Sequence, residues 1–221
     1  MLMVLNRDTA HFNMLEQQVR PTDVSDVRLL AALRQVKRVD FIGADLAGLA
    51  YADTALPMGF GQTMLPPITQ SKMLQALAVQ EDESVFEIGT GTGYFTALLA
   101  MLAKSVETVE IVPELSAMAV QNLQAGGFDN VVCHVGDAAT QWPLNERVDV
   151  IVSTAAFVTI PEAYLLQLEV GGRMLAVVGE GKTMEMQLVN RVAEREWQTK
   201  TVLETVIPPV VNAEPQPEFE F

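Results

Sequence analysis

The chain has 221 residues, 49% hydrophobic and 19% charged, with 28 acidic against 14 basic side chains and a formal charge of −14. Those values fit a soluble globular chain of one domain, or one domain with extensions, large enough to bury a substantial core. No apolar run reaches the ~20 residues of a membrane span, and the acidic balance disfavours nucleic acid and anionic membranes as partners, since both select a basic footprint.

The lone Cys133 permits no intrachain disulfide and fits a reducing compartment. The apolar stretch at Met1–Leu5 is short and soon followed by the charges of Arg7 and Asp8, unlike a secretory signal, so a cytoplasmic location is expected. No metal is expected.

Apolar periodicity makes the first 80 or so residues mainly helical. It predicts a short helix from Phe12 to Val19, ended near Pro21, and a second over 27–36 capped by Ser25-Asp26. Leu29, Leu30, Leu33 and Val36 share one face of that second helix. Arg34, Lys37 and Arg38 then read as a solvated cationic face at a helix end. Residues 55–67 form a Gly- and Pro-rich loop, and 68–79 form a helix.

From Ser84 onward, strands and helices alternate, the signature of a largely parallel sheet covered on both faces. Strands are predicted at 84–88, 106–111, 131–135, 148–153 and 173–178, and helices at 94–103, 114–125 and 161–168. Gly171-Gly172 is read as the stop of the last helix. Strands at 187–192 and 202–207 complete the sheet. In the Pro- and Glu-rich tail, Phe219 and Phe221 flank Glu220, so the end either docks as an edge strand or hangs loose. The expected organisation is one domain over 1–221, with a helical region and loop over 1–80, an α/β core over 81–211 and an acidic tail over 212–221.

The segment from Val85 to Phe95 carries the chemistry. A short apolar run containing Glu87 ends in Gly89-Thr90-Gly91-Thr92-Gly93, and an amphipathic segment follows at once. That order is strand, tight turn, helix, with bare backbone that a ligand can approach closely. Dinucleotide sites space their glycines as G-x-G-x-x-G, whereas here the third arrives one residue early. Glu87 also stands where a pyrophosphate would meet a like charge, but an ammonium and a sulfonium would not. Glu110, followed by Ile111, falls about 20 residues beyond the turn, where an acidic side chain accepts both hydroxyls of a ribose. Gly136-Asp137-Ala138 follows the third strand, where the Asp can accept from an adenine amino group. Thr154 lies among small residues after the fourth strand, which leave room for a ligand. Asp149 is read as a charge at a strand start, Cys133 as a buried inert thiol and His134 as an ordinary polar residue.

The pattern E-x-G-x-G-x-G resembles motif I of the class I S-adenosylmethionine-dependent methyltransferases. The resemblance sharpens in Ala50-Tyr51-Ala52-Asp53-Thr54-Ala55-Leu56-Pro57-Met58-Gly59-Phe60-Gly61-Gln62-Thr63, which is similar to the block before motif I in protein-L-isoaspartate O-methyltransferases. The later blocks EIGTGTGY, GDA, DVIVSTAA and Gln167-Leu168-x-x-Gly171-Gly172 follow suit, so the likeness covers roughly residues 25 to 210. It implies an α/β fold of the class I methyltransferase (Rossmann-like) type, a mostly parallel sheet flanked by helices with an N-terminal helical extension. It also implies methylation of the free carboxylate of isoaspartyl residues in damaged proteins, with S-adenosyl-L-methionine as donor. Gln62, Thr63 and Met64 would lie over cofactor and acceptor. Glu87, Gly89, Thr90, Gly91, Thr92, Gly93, Glu110, Ile111, Asp137, Ala138 and Thr154 would hold the cofactor.

Family members usually read Gln-Thr-Ile-Ser-x-Pro, and the serine is assigned to the active site. This chain reads Gln62-Thr63-Met64-Leu65-Pro66-Pro67, so Leu65 stands at the serine position, and Thr63 or Thr69 is the nearby hydroxyl able to substitute if the loop shifts. The acceptor is an isoaspartyl protein or peptide or, if the site has changed, a small molecule. A catalytically silent cofactor-binding homologue and an NAD-dependent oxidoreductase are the competing readings.

Overall fold

The computed structural model describes residues 7–213. The expectation for Phe219 and Phe221 therefore lies outside the described residues. Helix α1 (Arg7–Asn13) begins before the periodic apolar residues and continues through a π-helical stretch (Met14–Val19) and a 3-10 turn (Arg20–Thr22). Helix α2 (Val27–Gln35) starts where its cap predicts. Asp26 Oδ1 accepts from the backbone N–H of Arg28 at 2.8 Å and of Leu29 at 3.0 Å. Asp26→Ala is expected to cost about 1 kcal/mol of stability, read as a lower urea midpoint at unchanged slope.

Leu29, Leu30, Leu33 and Val36 are all buried. Arg34 and Lys37 lie in solvent and pair with Glu16 and Asp8. Arg38 does not belong with them, because the chain turns inward after Val36 and a 3-10 turn (Arg38–Phe41) carries it into the interior, where it is fully buried. A further 3-10 segment (Ala44–Leu49) leads to the Gly- and Pro-rich stretch. That stretch is not a plain loop. It holds an antiparallel hairpin of β1 (Leu56–Gly59) and β2 (Gln62–Met64), closed by Phe60-Gly61 with φ of 52° and 74°. Two positive φ values give the primed turns that suit the twist of a hairpin. Helix α3 (Pro67–Leu77) follows.

The main sheet is built from β3 (Ser84–Ile88), β4 (Ser105–Glu110), β5 (Val131–Val135), β6 (Val148–Ser153), β7 (Leu168–Glu180), β8 (Thr183–Ala193) and β9 (Glu196–Glu204). Its order is β5-β4-β3-β6-β7-β8-β9, parallel from β5 through β7, with β8 and β9 added antiparallel. Helices α4 (Tyr94–Leu102), α5 (Pro113–Ala125) and α6 (Glu162–Leu166) cover the faces.

Gly171-Gly172 does not stop a helix. The pair sits in an irregularity where the β6–β7 register jumps from Val148↔Leu168 to Val150↔Arg173. A Cβ on Gly172 would come within 2.7 Å of the Asp149 carbonyl oxygen, so the glycine lets two strands pass closely.

Successive residues of β3 face opposite sides of the sheet. Val85 joins an apolar cluster with α2, α3 and α4, whereas Phe86 and Ile88 join a second one with Phe157, Tyr164 and Met174. Both faces of the central strands are thus sealed, and their residues form nearly continuous apolar runs. A ligand is left with the strand ends.

Candidate active site

Strand order reverses between β3, whose next strand β4 lies to one side, and β6 on the other. Ligands of open α/β sheets bind in the crevice that such a reversal opens beyond the carboxyl ends of the strands. A cleft of about 640 Å³ occupies that place. Ile88-Gly89, Val109-Glu110 and Gly136-Asp137 line it from three strand ends, and Thr154-Ala155 from the fourth. The hairpin contributes Met58, Gln62 and Thr63, and Ile111, Gly91 and Ala138 complete the predicted set that faces the cleft.

One wall was not foreseen. Residues Pro208 to Val211 form a strap across the cleft, clipped to Ala156 by backbone bonds on either side (Ala156 N–H to the Pro208 carbonyl and Val210 N–H to the Ala156 carbonyl, both 2.8 Å). The Asn212 side chain donates to Asp137 Oδ2 at 2.8 Å, while Asp137 Oδ1 accepts from Ala139 N–H at 2.9 Å. Pro208-Pro209 was the available signal, since paired prolines exclude a regular strand while leaving an extended segment.

The glycine turn works as read, with an uneven division of labour. Gly91 has φ of 56° and its would-be Cβ meets Met58 Cε at 2.9 Å, so its bare backbone lets the hairpin lie over the turn. Gly93 faces helix α5 instead. Its would-be Cβ meets Ala119 and Leu123 within 3.3 Å, and it does not line the cleft. Gly93 is therefore a packing residue in this structure.

Glu110 fastens the turn. Its Oε2 accepts from Gly91 N–H at 2.8 Å and its Oε1 from Val112 N–H at 3.0 Å. The carboxylate is buried yet borders the cleft, where further lone pairs remain to accept from a diol.

Glu87, expected to hold the cofactor, is turned away from the cleft by the alternation of its strand. It points to the face opposite Phe86 and Ile88, fully buried, with Oε2 accepting from Thr96 at 2.6 Å and Thr108 at 2.7 Å. Thr90 and Thr108 share a further hydroxyl contact of 2.6 Å, so Glu87 reaches the glycine turn only through side-chain relays. Burial pushes its carboxyl up to about 7, opposed by the two threonine bonds and reinforced by the charge of Glu110.

Behind the turn lies a smaller, narrow inner chamber, lined among others by Met64, Leu65, Thr90 and Thr92. It shares Met58, Thr63, Gly89, Gly91 and Thr154 with the main cleft, so the two spaces meet at the glycine turn. Thr154 Oγ1 donates to the Gly89 carbonyl at 2.7 Å and so is fixed. The hydroxyls of Thr63, Thr92 and Tyr94 are buried without a hydrogen-bond partner among the described residues. Gln70 and Tyr94, which sequence reasoning passed over, also line this chamber.

The remaining flagged residues lie elsewhere. Asp149 accepts from the backbone and hydroxyl of Ser84 at 2.8 Å, as suits a strand start. Cys133 is half-buried, its thiol pushed up by burial. His134 bonds to Glu107 at 3.2 Å across β4–β5. Among the described residues no helix is long and apolar enough to cross a membrane.

Comparison with known proteins agrees with this geometry. A protein-L-isoaspartate O-methyltransferase of Myxococcus xanthus (strain DK1622) is 43% identical over 169 residues, covering 76% of this chain and 80% of that protein. A protein-L-isoaspartate O-methyltransferase 2 of Pelobacter propionicus is 35% identical over 202 residues, covering 91% and 90%. Among solved structures, a protein-L-isoaspartate O-methyltransferase superposes with a TM-score of 0.80 at 22% identity, over 94% of this chain and 66% of that one. A Plasmodium falciparum protein assigned to the same activity, in complex with S-adenosyl-L-homocysteine, gives 0.79 at 18% identity, over 90% and 97%. At such identities the superpositions establish the class I methyltransferase fold. Residues 10–215 match the family described as Protein-L-isoaspartate(D-aspartate) O-methyltransferase (PCMT), and the chain belongs to that family.

Proposed function

We propose that this protein transfers the methyl group of S-adenosylmethionine to the free carboxylate of isoaspartyl residues in proteins or peptides. The observation that carries the reading is the junction of two unlike spaces at the glycine turn. The cleft presents the carboxylates of Glu110 and Asp137, and the chamber behind the turn presents unpartnered hydroxyls. Glu110 is placed for the ribose, Asp137 and Ala138 for the adenine, and Gly89, Gly91 and Thr154 for the amino-acid end of the cofactor. When bound, the cofactor supplies a methyl group on a positively charged sulfur.

The protein's share of the reaction is small in number of groups and demanding in arrangement. The acceptor carboxylate is already ionised at neutral pH, so no side chain has to remove a proton. Transfer to that carboxylate would convert two opposite charges, on the donor sulfur and the acceptor, into a neutral thioether and a neutral ester. Because charge disappears along the path, a dry and aligned site favours the transition state over the separated ions. Met58, Met64, Leu65 and Phe95 supply dry walls, and Thr63, at the meeting of the two spaces, supplies the hydroxyl that orients the acceptor.

Incubation with labelled S-adenosylmethionine and a peptide in its isoaspartyl and ordinary aspartyl forms tests the reading. Base-labile label in the isoaspartyl form alone is expected, and label in neither form, with cofactor binding intact, removes it. Leu65 favours one second reading, an acceptor other than isoaspartate, because it is buried in the chamber wall and offers no hydrogen bond. Leu65→Ser discriminates between the two. If the acceptor is isoaspartyl, the added hydroxyl raises kcat/KM for the peptide about tenfold, the effect of one hydrogen bond to a charged group.

A further inference from the structure

Two arginines lie wholly inside this protein, and they are held differently. Arg191 donates to the carbonyl oxygens of Leu166, Leu168 and Glu194 and pairs with the Glu194 carboxylate at 3.2 Å. Arg38 donates to the Leu65 carbonyl at 2.7 Å and to Gln70 Oε1, and its guanidinium carbon lies 5.3 Å from the centre of the Tyr94 ring. Among the described residues it has no ion pair, and its Nε has no hydrogen-bond partner. Burial draws the guanidinium down only to about 10, so the group is cationic at neutral pH. A buried cation with no ion-paired counter-charge is destabilising; the charge of Asp53 acts on this one only from beyond ion-pair distance, and it persists in a chain that carries twice as many acidic as basic residues (28 against 14).

The groups that hold Arg38 are walls of the inner chamber, since Leu65, Gln70 and Tyr94 all line it. Arg38 occupies one lone pair of the Gln70 amide oxygen and fixes which way the amide points, leaving its two N–H donors free to offer. Thr92 and Tyr94 are 3% and 2% exposed, and their hydroxyls are unpartnered. The chamber therefore combines available donors with a positive charge behind them, the converse of the carboxylate-lined cleft next to it. Such a lining favours a carboxylate over an ammonium or a neutral amide.

We infer that Arg38 is a positioning residue for a carboxylate held in the inner chamber, acting through Gln70, Tyr94 and the Leu65 carbonyl. Two carboxylates meet that description, the acceptor's and the one on the amino-acid end of the methyl donor. The first alternative rests on the isoaspartyl reading above, and the second does not.

The full-length protein carrying Arg38→Met, Arg38→Lys or Gln70→Leu separates them, with calorimetric binding of S-adenosylhomocysteine and methyl-transfer kinetics on an isoaspartyl peptide. Arg38→Met and Gln70→Leu are expected to raise the peptide KM at least about tenfold, with kcat and S-adenosylhomocysteine Kd within about twofold and Arg38→Lys in between. A tenfold loss of S-adenosylhomocysteine affinity at unchanged peptide KM assigns the carboxylate to the donor and keeps Arg38 in its role. Decarboxylated S-adenosylmethionine then binds wild type and variant alike. A lower melting temperature with KM, kcat and Kd all unmoved makes Arg38 a purely structural cation and overturns the inference. Should Arg38→Met not fold, Gln70→Leu and Tyr94→Phe carry the same comparison. Absence of any transfer to the peptide by wild type removes the acceptor reading, and the S-adenosylhomocysteine titration then decides the role of Arg38 alone.

Discussion

Glu110→Ala is expected to weaken binding of S-adenosylhomocysteine by about 100-fold or more, measured calorimetrically on the full-length protein. Each hydrogen bond from a ligand hydroxyl to a charged carboxylate contributes roughly 1.5–3 kcal/mol, and a ribose diol offers two. The carboxylate also ties down Gly91 at 2.8 Å and Val112 at 3.0 Å, so its removal loosens the turn that the ligand must lie against. Glutamine is no conservative substitute. Both oxygens of Glu110 already accept from backbone N–H groups, so an amide would set its own N–H against one of them. Glu110→Gln is therefore expected to fall close to Glu110→Ala, unlike a residue whose only task is to accept from ribose. A change below about threefold in both variants would detach Glu110 from the cofactor and leave it as a brace for the turn.

Strand-by-strand alternation made the parallel core legible from sequence, because strands buried on both faces write themselves as apolar runs broken by turns and helices. Predicted β3, β5 and β6 match the structure residue for residue. The cleft was legible too, since the turn glycines, Glu110 and Asp137 sit at strand ends, where position in sequence fixes position in space. What failed was whatever local pattern does not encode. Arg38 looks like part of a cationic helix end beside Arg34 and Lys37, and only its contacts with α3 and α4, distant in sequence, show that it is buried. Gly171-Gly172 satisfies a helix stop and a strand irregularity equally well, and the close passage of β6 decides. The misplacement of Glu87 was avoidable. Flanked by Phe86 and Ile88, which share one face, it had to point to the other, towards α4 rather than the cleft.

That same burial makes Glu87 the source of a stability change across mildly acidic pH. An unfolded chain ionises this carboxyl at its ordinary 4.5, and the native protein at about 7. Below 4.5 the group is protonated in both states and carries no penalty. As pH rises towards 7, the unfolded state gains a solvated charge while the native state stays neutral, so the contribution of Glu87 to stability is lost progressively and fully above 7. The interval corresponds to about 3 kcal/mol. Other carboxylates titrate in the same range, so the measurement is a difference. Urea unfolding of wild type and Glu87→Gln at pH 4.5, 6 and 7.5 is expected to show the variant gaining on wild type by about 3 kcal/mol from the lowest pH to the highest, because an amide cannot ionise. A difference that stays flat with pH would mean that Glu87 ionises over the same pH range in the native and unfolded states, and would remove the raised native pKa. The charge of Glu110 is one of the causes that raise Glu87, so the window should also narrow in Glu110→Ala. The charge of a carboxylate facing the cleft would then be shown to act on the ionisation of Glu87, sealed beneath the turn.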